Sequence, residues 1–237
     1  MMRVVVLQSN YLPWKGYFDL IHDCDLFVFY DEVQYTKNDW RNRNRIYTKN
    51  GLQWLTIPVA RESVHFKISE VALPGGDWAE RHWKALTSGY GRAPHFEQLE
   101  ALMRPPLLER RWERLSELNQ HLVREIASRL GIRTRMVDSS EYRLEPGRVD
   151  RLLSLLKQAG ATQYVSGPAA REYLAASERQ FAESGITVSY KDYTGYPEYP
   201  QLRAPFEHAV SILDLVANVA WDRIPDYVWR HRESARG

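Results

Sequence analysis

The sequence has little cysteine and no long apolar run. Cys24 is the single cysteine, which excludes an internal disulfide and a zinc site built from several cysteines. No apolar run approaches the roughly 20 residues that a transmembrane helix requires. The chain starts directly with a predicted strand and no signal peptide precedes it, so the expected location is the cytoplasm.

The sequence also has little net charge. Its 32 basic and 30 acidic residues leave a formal charge of +2, which argues against a general nucleic-acid binder. A hydrophobic content of 44% and an aromatic content of 12% predict a folded core rather than disorder. No internal repeat, low-complexity tract or linker divides the chain. We therefore expect one domain over residues 1–237.

The first thirty residues predict a β-α-β unit. An apolar run at residues 3–7 indicates a buried strand, and Pro13 marks the turn that follows it. A helix is predicted at about 15–22 and a second buried strand at 25–30. This length is typical of a right-handed crossover between parallel strands.

The rest of the chain continues the alternation of strands and helices. Further strands are predicted at 132–137, 163–165 and 186–190, and helices at about 107–130, 149–158, 169–175, 177–183, 206–217 and 225–231. The stretch 42–105 differs, with a hairpin at 43–48 and 52–58 around Asn50-Gly51, a strand within 64–73, and helices at 78–90 and 96–103. The fold expected is α/β, with a mostly parallel, Rossmann-like open sheet and a β-hairpin/helical insertion at about 42–105.

A parallel sheet selects certain polar residues as site candidates. Ligands of such sheets bind beyond the carboxyl ends of the strands. The residues at these ends are Gln8, Asn10 and Tyr11; Asp31, Gln34 and Tyr35; Asp138, Ser139 and Ser140; Ser166 and Gly167; and Lys191 and Asp192. Residues 22–25 include side chains of types that can bind metal ions, but they lie before a strand, at the opposite edge of the sheet. We therefore predict no metal site there.

A basic segment is the second signal. Residues 36–50 contain five basic side chains, Lys37 among them, and the single acid Asp39. Arg41, Arg43 and Arg45 alternate, so they would share one face of an extended backbone. Arginine forks suit phosphate and carboxylate groups, which predicts an anion site; a solvated or carboxylate-paired hairpin is the alternative. Nucleic acid is disfavoured because no broad basic face accompanies the segment.

Three further features have both a functional and a structural interpretation. Ser166-Gly167-Pro168 at a helix start is either an anion site or an ordinary helix cap. His82 is the preferred general base among the histidines, although a packed histidine is common on such a helix. The tyrosines at 193, 196 and 199 either line a sugar or nucleobase pocket or hold a rigid loop against the core.

Long blocks of the chain resemble the WbqC-like protein family. The amino-terminal blocks are Gln8–Asp19, Tyr30–Lys37, Trp40–Arg43 and Gln53–Val59. Later blocks are His82-Trp83, Ser166–Pro168, Tyr199–Gln201 and Ser211–Leu215. Together they cover nearly the whole chain. One departure is Val219-Ala220, where the family pattern has a glycine soon after Asn218.

The resemblance implies a role in bacterial surface polysaccharides such as O-antigen. It implies a group transferase of acyl or aminoacyl type that acts on a nucleotide- or lipid-linked sugar. A fold-level analogy with α/β nucleotidyltransferases places 13–17 at their His-x-Gly-His signature, but Trp14 and Tyr17 replace both histidines. Lys15, Lys37 and the arginines would then stabilise phosphate charge, and ordinary nucleotidyl transfer is not expected.

Each candidate residue receives a role under the enzyme hypothesis. Lys15, Asp31 and His82 would be catalytic, with His82 the base. The substrate-binding set is Gln8, Asn10, Tyr11, Trp14, Gln34, Tyr35, Lys37, Trp40, Arg41, Asn42, Arg43, Ser166, Gly167 and Tyr199. The partner is a phosphate- or carboxylate-bearing small molecule, and the sequence names no cofactor; a divalent ion beside phosphates would bind Asp31 and Glu32.

The alternative is a non-catalytic ligand-binding or scaffold protein of a polysaccharide assembly pathway. If the protein is an enzyme, the candidate residues should line a deep cleft. If it is a scaffold, they should lie across a flat, exposed patch.

Overall fold

Two sheets organise the part of the chain that the structure describes, residues 1–229 of a computed structural model. In chain order the strands are β1 Arg3–Leu7, β2 Leu26–Phe29, β3 Arg43–Thr48, β4 Gly51–Thr56, β5 Arg135–Asp138, β6 Gln163–Ser166 and β7 Thr187–Tyr190. Five of them form a sheet in the order β5-β2-β1-β6-β7, and every pair in that sheet is parallel. The predicted α/β fold with a mostly parallel sheet is confirmed.

The order of the strands places a topological switch point beside β1. From β1 the chain first builds outward to β2 and β5 and then returns to the other side of β1 to add β6 and β7. The crossovers therefore leave the sheet in opposite directions on the two sides of the β1–β6 pair. A crevice opens between the carboxyl ends of such strands, and this is where open α/β sheets bind ligands.

Helices cover both faces of the sheet. They are α1 Lys15–His22, α2 Trp78–Tyr90, α3 Phe96–Arg104, α4 Leu115–Arg129, α5 Arg148–Gln158, α6 Arg171–Leu174, α7 Glu178–Glu183 and α8 Ile212–Asn218. Alternate residues of β1 enter different cores, because side chains alternate along a strand. Val5 packs in the core that contains α1 and α4, whereas Val4 and Val6 pack with α5 and α7. No helix within residues 1–229 is long and apolar enough to cross a membrane.

The segment between β2 and β5 carries the hairpin. β3 and β4 pair antiparallel from Arg43↔Thr56 to Thr48↔Gly51, and Gly51 takes the positive φ of 92° that the turn requires. The predicted strand within 64–73 is wrong. Arg61–His65 and Ile68–Glu70 are 3-10 turns instead, and only isolated bridges such as Gln34↔Lys67 occur there. The Glu70 carboxylate accepts from the Lys67 N–H at 2.9 Å, which closes the second turn.

Several predicted helices are shorter than expected. The helix predicted at 107–130 begins only at Leu115, after a π-helical turn at Pro105–Glu109. The Trp112 indole N–H donates to the Pro106 carbonyl at 2.8 Å, so this aromatic residue belongs to the bend before α4. The helix predicted at 206–217 begins at Ile212, where Ser211 Oγ accepts from the Leu213 N–H.

Two other helix predictions also need correction. The helix predicted at 169–175 consists of a 3-10 turn at Pro168–Ala170 and the single turn of α6. The tail helix predicted at 225–231 is a 3-10 turn at Ile224–Tyr227, and residues 230 and 231 lie outside the described residues.

Candidate functional site

A cavity of about 480 Å³ lies at the switch point, and we call it the switch-point cavity. The carboxyl ends of β1 and β6 form its floor. Its lining includes Leu7, Gln8, Tyr30, Asp39, Arg41, Arg148, Tyr164, Ser166, Gly167 and Tyr173. The candidate residues that follow β1 and those at the end of β6 therefore line the same cavity.

The floor of the cavity is polar, and hydrogen bonds from tyrosine hydroxyls fix its polar groups. The Gln8 carbonyl accepts from the Tyr17 hydroxyl at 3.0 Å, and Ser166 Oγ accepts from the Tyr164 hydroxyl at 3.1 Å. Gly167 lines the cavity, and a Cβ at this position would lie 3.7 Å from the Tyr193 hydroxyl, an ordinary van der Waals distance. Gln8, Ser166 and Gly167 thus meet where the parallel-sheet argument predicted.

Arg41 supplies the buried positive charge of the cavity. The residue is 7% exposed, and its guanidinium donates to Asn10 Oδ1 and, at 3.5 Å, to Asp39 Oδ2. Its carbonyl accepts from Asn119 Nδ2 at 2.8 Å, which fixes the backbone. Arg41 Nε has no hydrogen-bond partner among residues 1–229. The guanidinium is therefore held in place at the cavity, where its charge favours an anion.

Asp39 is the acid beside this charge. Thr36 Oγ1 and the Trp40 N–H each donate to its carboxylate at 2.7 Å. Burial raises the pKa of Asp39, but the Arg41 charge and these hydrogen bonds outweigh burial, so the pKa is lowered overall. The cavity therefore contains an ionised carboxylate as well as arginine.

The opposite wall combines an arginine with tyrosines. Arg148 begins α5, and its guanidinium carbon lies 3.8 Å from the centre of the Tyr173 ring. Burial raises the pKa of Tyr30 to about 12 and raises the pKa of Tyr164 further, so both hydroxyls keep their protons. Two cations thus face a cavity in which Tyr30 has a neutral hydroxyl and the Tyr164 hydroxyl already donates to Ser166, a combination suited to an anionic ligand with a polar ring.

Five residues of the cavity are not predicted from the sequence as ligand-binding residues, namely Asp39, Arg148, Tyr30, Tyr164 and Tyr173. Arg148 had one local signal, because it follows Pro146-Gly147 at the start of a predicted helix. Tyr30 is the last residue of the second predicted strand, so it lies at the edge of the sheet where ligands are expected to bind. Tyr164 and Tyr173 had no local signal, since their position depends on how β6 and α6 pack.

Asp31, one of the three proposed catalytic groups, lies outside the switch-point cavity. It is fully buried, accepts from the Ser9 N–H at 2.8 Å and accepts from Gln120 Nε2 at 3.0 Å. Burial raises its pKa. The carboxyl joins the end of β2 to α4. Glu32 is also engaged, by Lys67 Nζ at 2.8 Å and Ser69 Oγ at 2.7 Å. Residues 1–229 contain no group of three or more His, Cys, Asp or Glu side chains that could hold a metal ion.

Lys15, the second proposed catalytic group, is enclosed by aromatic rings. Its ammonium lies 4.8 Å from the ring centre of Tyr196 and 5.3 Å from that of Tyr199, and donates to the Pro197 carbonyl at 3.3 Å. Burial lowers the pKa of Lys15 to about 8, although the Asp19 charge opposes this. The Tyr199 hydroxyl donates to Asp214 Oδ2 at 2.8 Å. Lys15 and Tyr199 thus hold the tyrosine-rich loop against α1 and α8.

His82, the proposed base, forms a closed hydrogen-bonded chain with Tyr11. His82 Nε2 lies 3.2 Å from the Thr56 carbonyl, which only accepts, so Nε2 carries the proton. Nδ1 then accepts from the Tyr11 hydroxyl at 2.9 Å. Burial lowers the pKa of His82 to about 4. The imidazole is therefore neutral with both nitrogens occupied, and neither His82 nor Tyr11 lines the switch-point cavity.

We expect His82 to remain neutral throughout the physiological pH range. The unfolded chain binds a proton near pH 6.5 and the folded chain near pH 4, so the unfolded state binds more protons between these values. The stabilisation from His82 is complete above about pH 6.5 and is lost as pH falls toward 4. Imidazole nitrogen NMR should show no protonation above pH 5; a midpoint near 6.5 would contradict this geometry.

The hairpin arginines do not join Arg41. Arg43 and Arg45 place their guanidinium carbons 4.4 and 5.7 Å from the Trp54 ring centre, and Arg43 also donates to the Asn38 carbonyl. The predicted common face thus holds for Arg43 and Arg45 but not for Arg41, because β3 begins only at Arg43. Trp40 lies over the same indole, with ring centres 5.6 Å apart.

The remaining candidates also lie outside the switch-point cavity. Asn42 Nδ2 donates to the Ile57 carbonyl at 2.7 Å, and Gln34 Nε2 donates to the Val64 carbonyl at 2.7 Å. Tyr35 is buried and pairs with the Phe66 backbone. Lys37 is exposed beside Arg61 and Glu62. Asn10, Trp14 and Trp40 line a second, smaller pocket.

An open parallel sheet with helices on both faces and a topological switch point defines a doubly wound α/β protein. Within that class, the chain belongs to the WbqC-like protein family, whose model matches residues 8–225. It is 50% identical over 229 residues to "Uncharacterized protein Rv1507c" of Mycobacterium tuberculosis, covering 96% of this chain and 98% of the relative. No solved structure shows significant similarity to the chain.

Proposed function

We propose that the protein is a group transferase of acyl or aminoacyl type that acts on a nucleotide- or lipid-linked sugar in bacterial surface polysaccharide biosynthesis. The observation that carries the proposal is the buried guanidinium of Arg41, which lines the switch-point cavity together with Arg148. A phosphate group of the activated sugar is the anion that this site would bind.

The shape of the site supports a small-molecule ligand. A volume of about 480 Å³ falls within the roughly 300–1,000 Å³ that is typical of ligand pockets. A scaffold surface would instead spread its arginines and aromatics over a flat patch. In this proposal Arg41 and Arg148 bind the phosphates, and Tyr30, Tyr164 and Tyr173 contact the sugar or base.

The chemistry proposed for the cavity depends on positioning and charge. No histidine among residues 1–229 lines it, and the acid that does, Asp39, has a lowered pKa and is therefore a weak base. Its carboxylate would accept a hydrogen bond from the acceptor hydroxyl or amine and orient that group. The acceptor oxygen or nitrogen would form the new bond to the donor's acyl carbon while the bond from that carbon to the donor's leaving group breaks. The leaving group would take up the proton that the acceptor loses, and Arg41 and Arg148 would hold the phosphates of the sugar in place during the step. Such a site suits a donor that is already activated.

A non-catalytic ligand-binding protein is the second candidate. It is favoured by the positions of Lys15, Asp31 and His82, all of which are buried with partners away from the cavity. Both candidates share the ligand site. They differ in turnover, which assays with an acyl donor and a sugar acceptor would measure.

Replacing Arg148 with alanine should weaken ligand binding by roughly tenfold or more. The change removes one charged donor, and hydrogen bonds to charged groups contribute about 1.5–3 kcal/mol. Isothermal calorimetry with UDP-N-acetylglucosamine as the probe would measure the loss. Arg143→Ala is the matched control, because this side chain is 87% exposed and does not line the cavity. Equal affinity of Arg148→Ala and the control would contradict the proposed site.

A further inference from the structure

A second pocket of about 240 Å³ adjoins Arg41, and we call it the tryptophan pocket. Its lining comprises Asn10, Pro13, Trp14, Trp40, Arg45 and, beneath them, Asn44 and Ala209. Asn10 belongs to this pocket, and its Oδ1 accepts from Arg41, which lines the switch-point cavity. One hydrogen bond therefore connects the two sites.

The indole of Trp14 is a rigid wall of the tryptophan pocket. The edges of two tyrosine rings hold it, with ring centres 5.0 Å away for Tyr193 and 5.8 Å away for Tyr196. Gly16 leaves room for it, because a Cβ at that position would lie 2.2 Å from the indole. Trp40 is 41% exposed and provides an aromatic surface at the pocket. Indoles suit a ligand ring that has an apolar face.

The polar groups of the tryptophan pocket favour an anion. Arg45 donates to the Ala209 carbonyl at 2.8 Å, and its Nε is buried without a partner among residues 1–229. Because Asn10 Oδ1 is taken by Arg41, the Asn10 side chain offers its amide N–H groups to the pocket. Asn44 is committed to the Tyr11 and Leu12 carbonyls. None of the residues that line the pocket is acidic.

We propose that the tryptophan pocket binds a sugar ring that carries a carboxylate. The ring packs against the indoles of Trp14 and Trp40, the carboxylate pairs with Arg45, and Asn10 donates to a ring hydroxyl. This inference rests on the proposed function and deepens it: the pocket is a second sugar subsite next to the phosphate site. Asn10 and Arg41 form the shared wall, so ligands in the two sites lie close to each other.

Saturation-transfer NMR with two probes tests this subsite. Methyl glucuronide should receive saturation and bind about tenfold tighter than methyl glucoside, because only the former carries the carboxylate. Arg45→Gln should reduce the affinity for the glucuronide to that for the glucoside. Trp40→Ala should weaken both sugars by about fivefold through loss of ring contact. Phe66→Ala, which removes an aromatic ring that is 46% exposed and outside the pocket, should change neither.

The outcomes separate this inference from the proposed function. Arg148→Ala should weaken UDP-N-acetylglucosamine and leave methyl glucuronide binding unchanged. No saturation transfer to either methyl glycoside, or equal affinity for the two, would overturn the subsite even if the nucleotide sugar binds normally. An equal loss in Phe66→Ala and Trp40→Ala would overturn it as well.

Discussion

Replacing Arg41 with alanine should reduce the affinity for UDP-N-acetylglucosamine by about 100-fold or more. Arg41 is the buried cation of the switch-point cavity, and its guanidinium lies where the phosphate of the proposed ligand would bind. Its loss removes charge-assisted hydrogen bonds worth about 3 kcal/mol, which corresponds to roughly 100-fold in affinity. It also leaves the ionised Asp39 facing the phosphate without its partner, and that repulsion adds to the loss.

Two variants of similar chemistry control this result. Arg43→Ala removes an equal charge two residues away, but Arg43 packs on Trp54 and does not line the cavity, so affinity should change by less than about twofold. Arg41→Lys keeps the positive charge but lacks the paired N–H donors of the guanidinium, so the loss of affinity should be intermediate. Circular dichroism would establish that each variant is folded. A large loss in Arg43→Ala, or none in the two Arg41 variants, would contradict the assignment.

Replacing Lys191 with methionine should lower the free energy of unfolding by about 3–5 kcal/mol. Lys191 follows β7, and its ammonium donates to Asp19 Oδ1 at 2.7 Å and to Asp23 Oδ2. Asp19 is fully buried and also accepts from the Tyr196 hydroxyl at 2.6 Å. The methionine removes the Lys191 ammonium from the buried Asp19 carboxylate, and removing one partner of a buried ion pair is strongly destabilising.

Urea denaturation of Lys191→Met and Arg129→Met would measure the difference. Arg129 pairs with Glu125 at 2.9 Å on the protein surface, and such pairs contribute at most about 1 kcal/mol. Similar midpoints for the two variants would contradict a structural role of the Lys191 network.

The pH dependence of the wild-type protein provides a second test of the network. Burial raises the pKa of Asp23, but the nearby His22, whose Nδ1 lies 3.7 Å from the carboxylate, and the hydrogen bond and charge of Lys191 outweigh it and lower the pKa overall. The resulting stabilisation is present above the ordinary carboxyl pKa near 4 and is lost as pH falls below it. Lys191→Met should therefore lose less stability in acid than wild type does.

Much of the fold could be predicted because its signals are local. The apolar run of β1 and the turn at Pro13 define the first β-α-β unit, and Asn50-Gly51 defines the hairpin. The rule that parallel strands end at one edge brought Gln8, Ser166 and Gly167 together before any contact was known. The start of α4 was misplaced because Trp112 and Leu108 continue its apolar spacing, although both precede the helix.

The remainder of the site depends on tertiary packing. Arg41 differs from Arg43 and Arg45 because its side chain lies before β3, and the sequence alternation alone does not reveal where the strand starts. His82 has the chemistry of a base, but burial against Tyr11 and Thr56 leaves it neutral and occupied. Arg148 and Tyr173 reach the cavity from α5 and α6, which no local pattern connects to β1.

In the proposed function, a phosphate-bearing ligand occupies the switch-point cavity. The most direct measurement is a two-dimensional proton–nitrogen NMR titration with UDP-N-acetylglucosamine that follows the Nε–H signals of Arg41 and Arg148 and the Gly167 amide. These three signals should shift together and saturate at one affinity, while the Arg43 Nε–H signal remains in place. Saturable shifts confined to the hairpin around Trp40 and Trp54, with Arg41 and Gly167 unchanged, would contradict it.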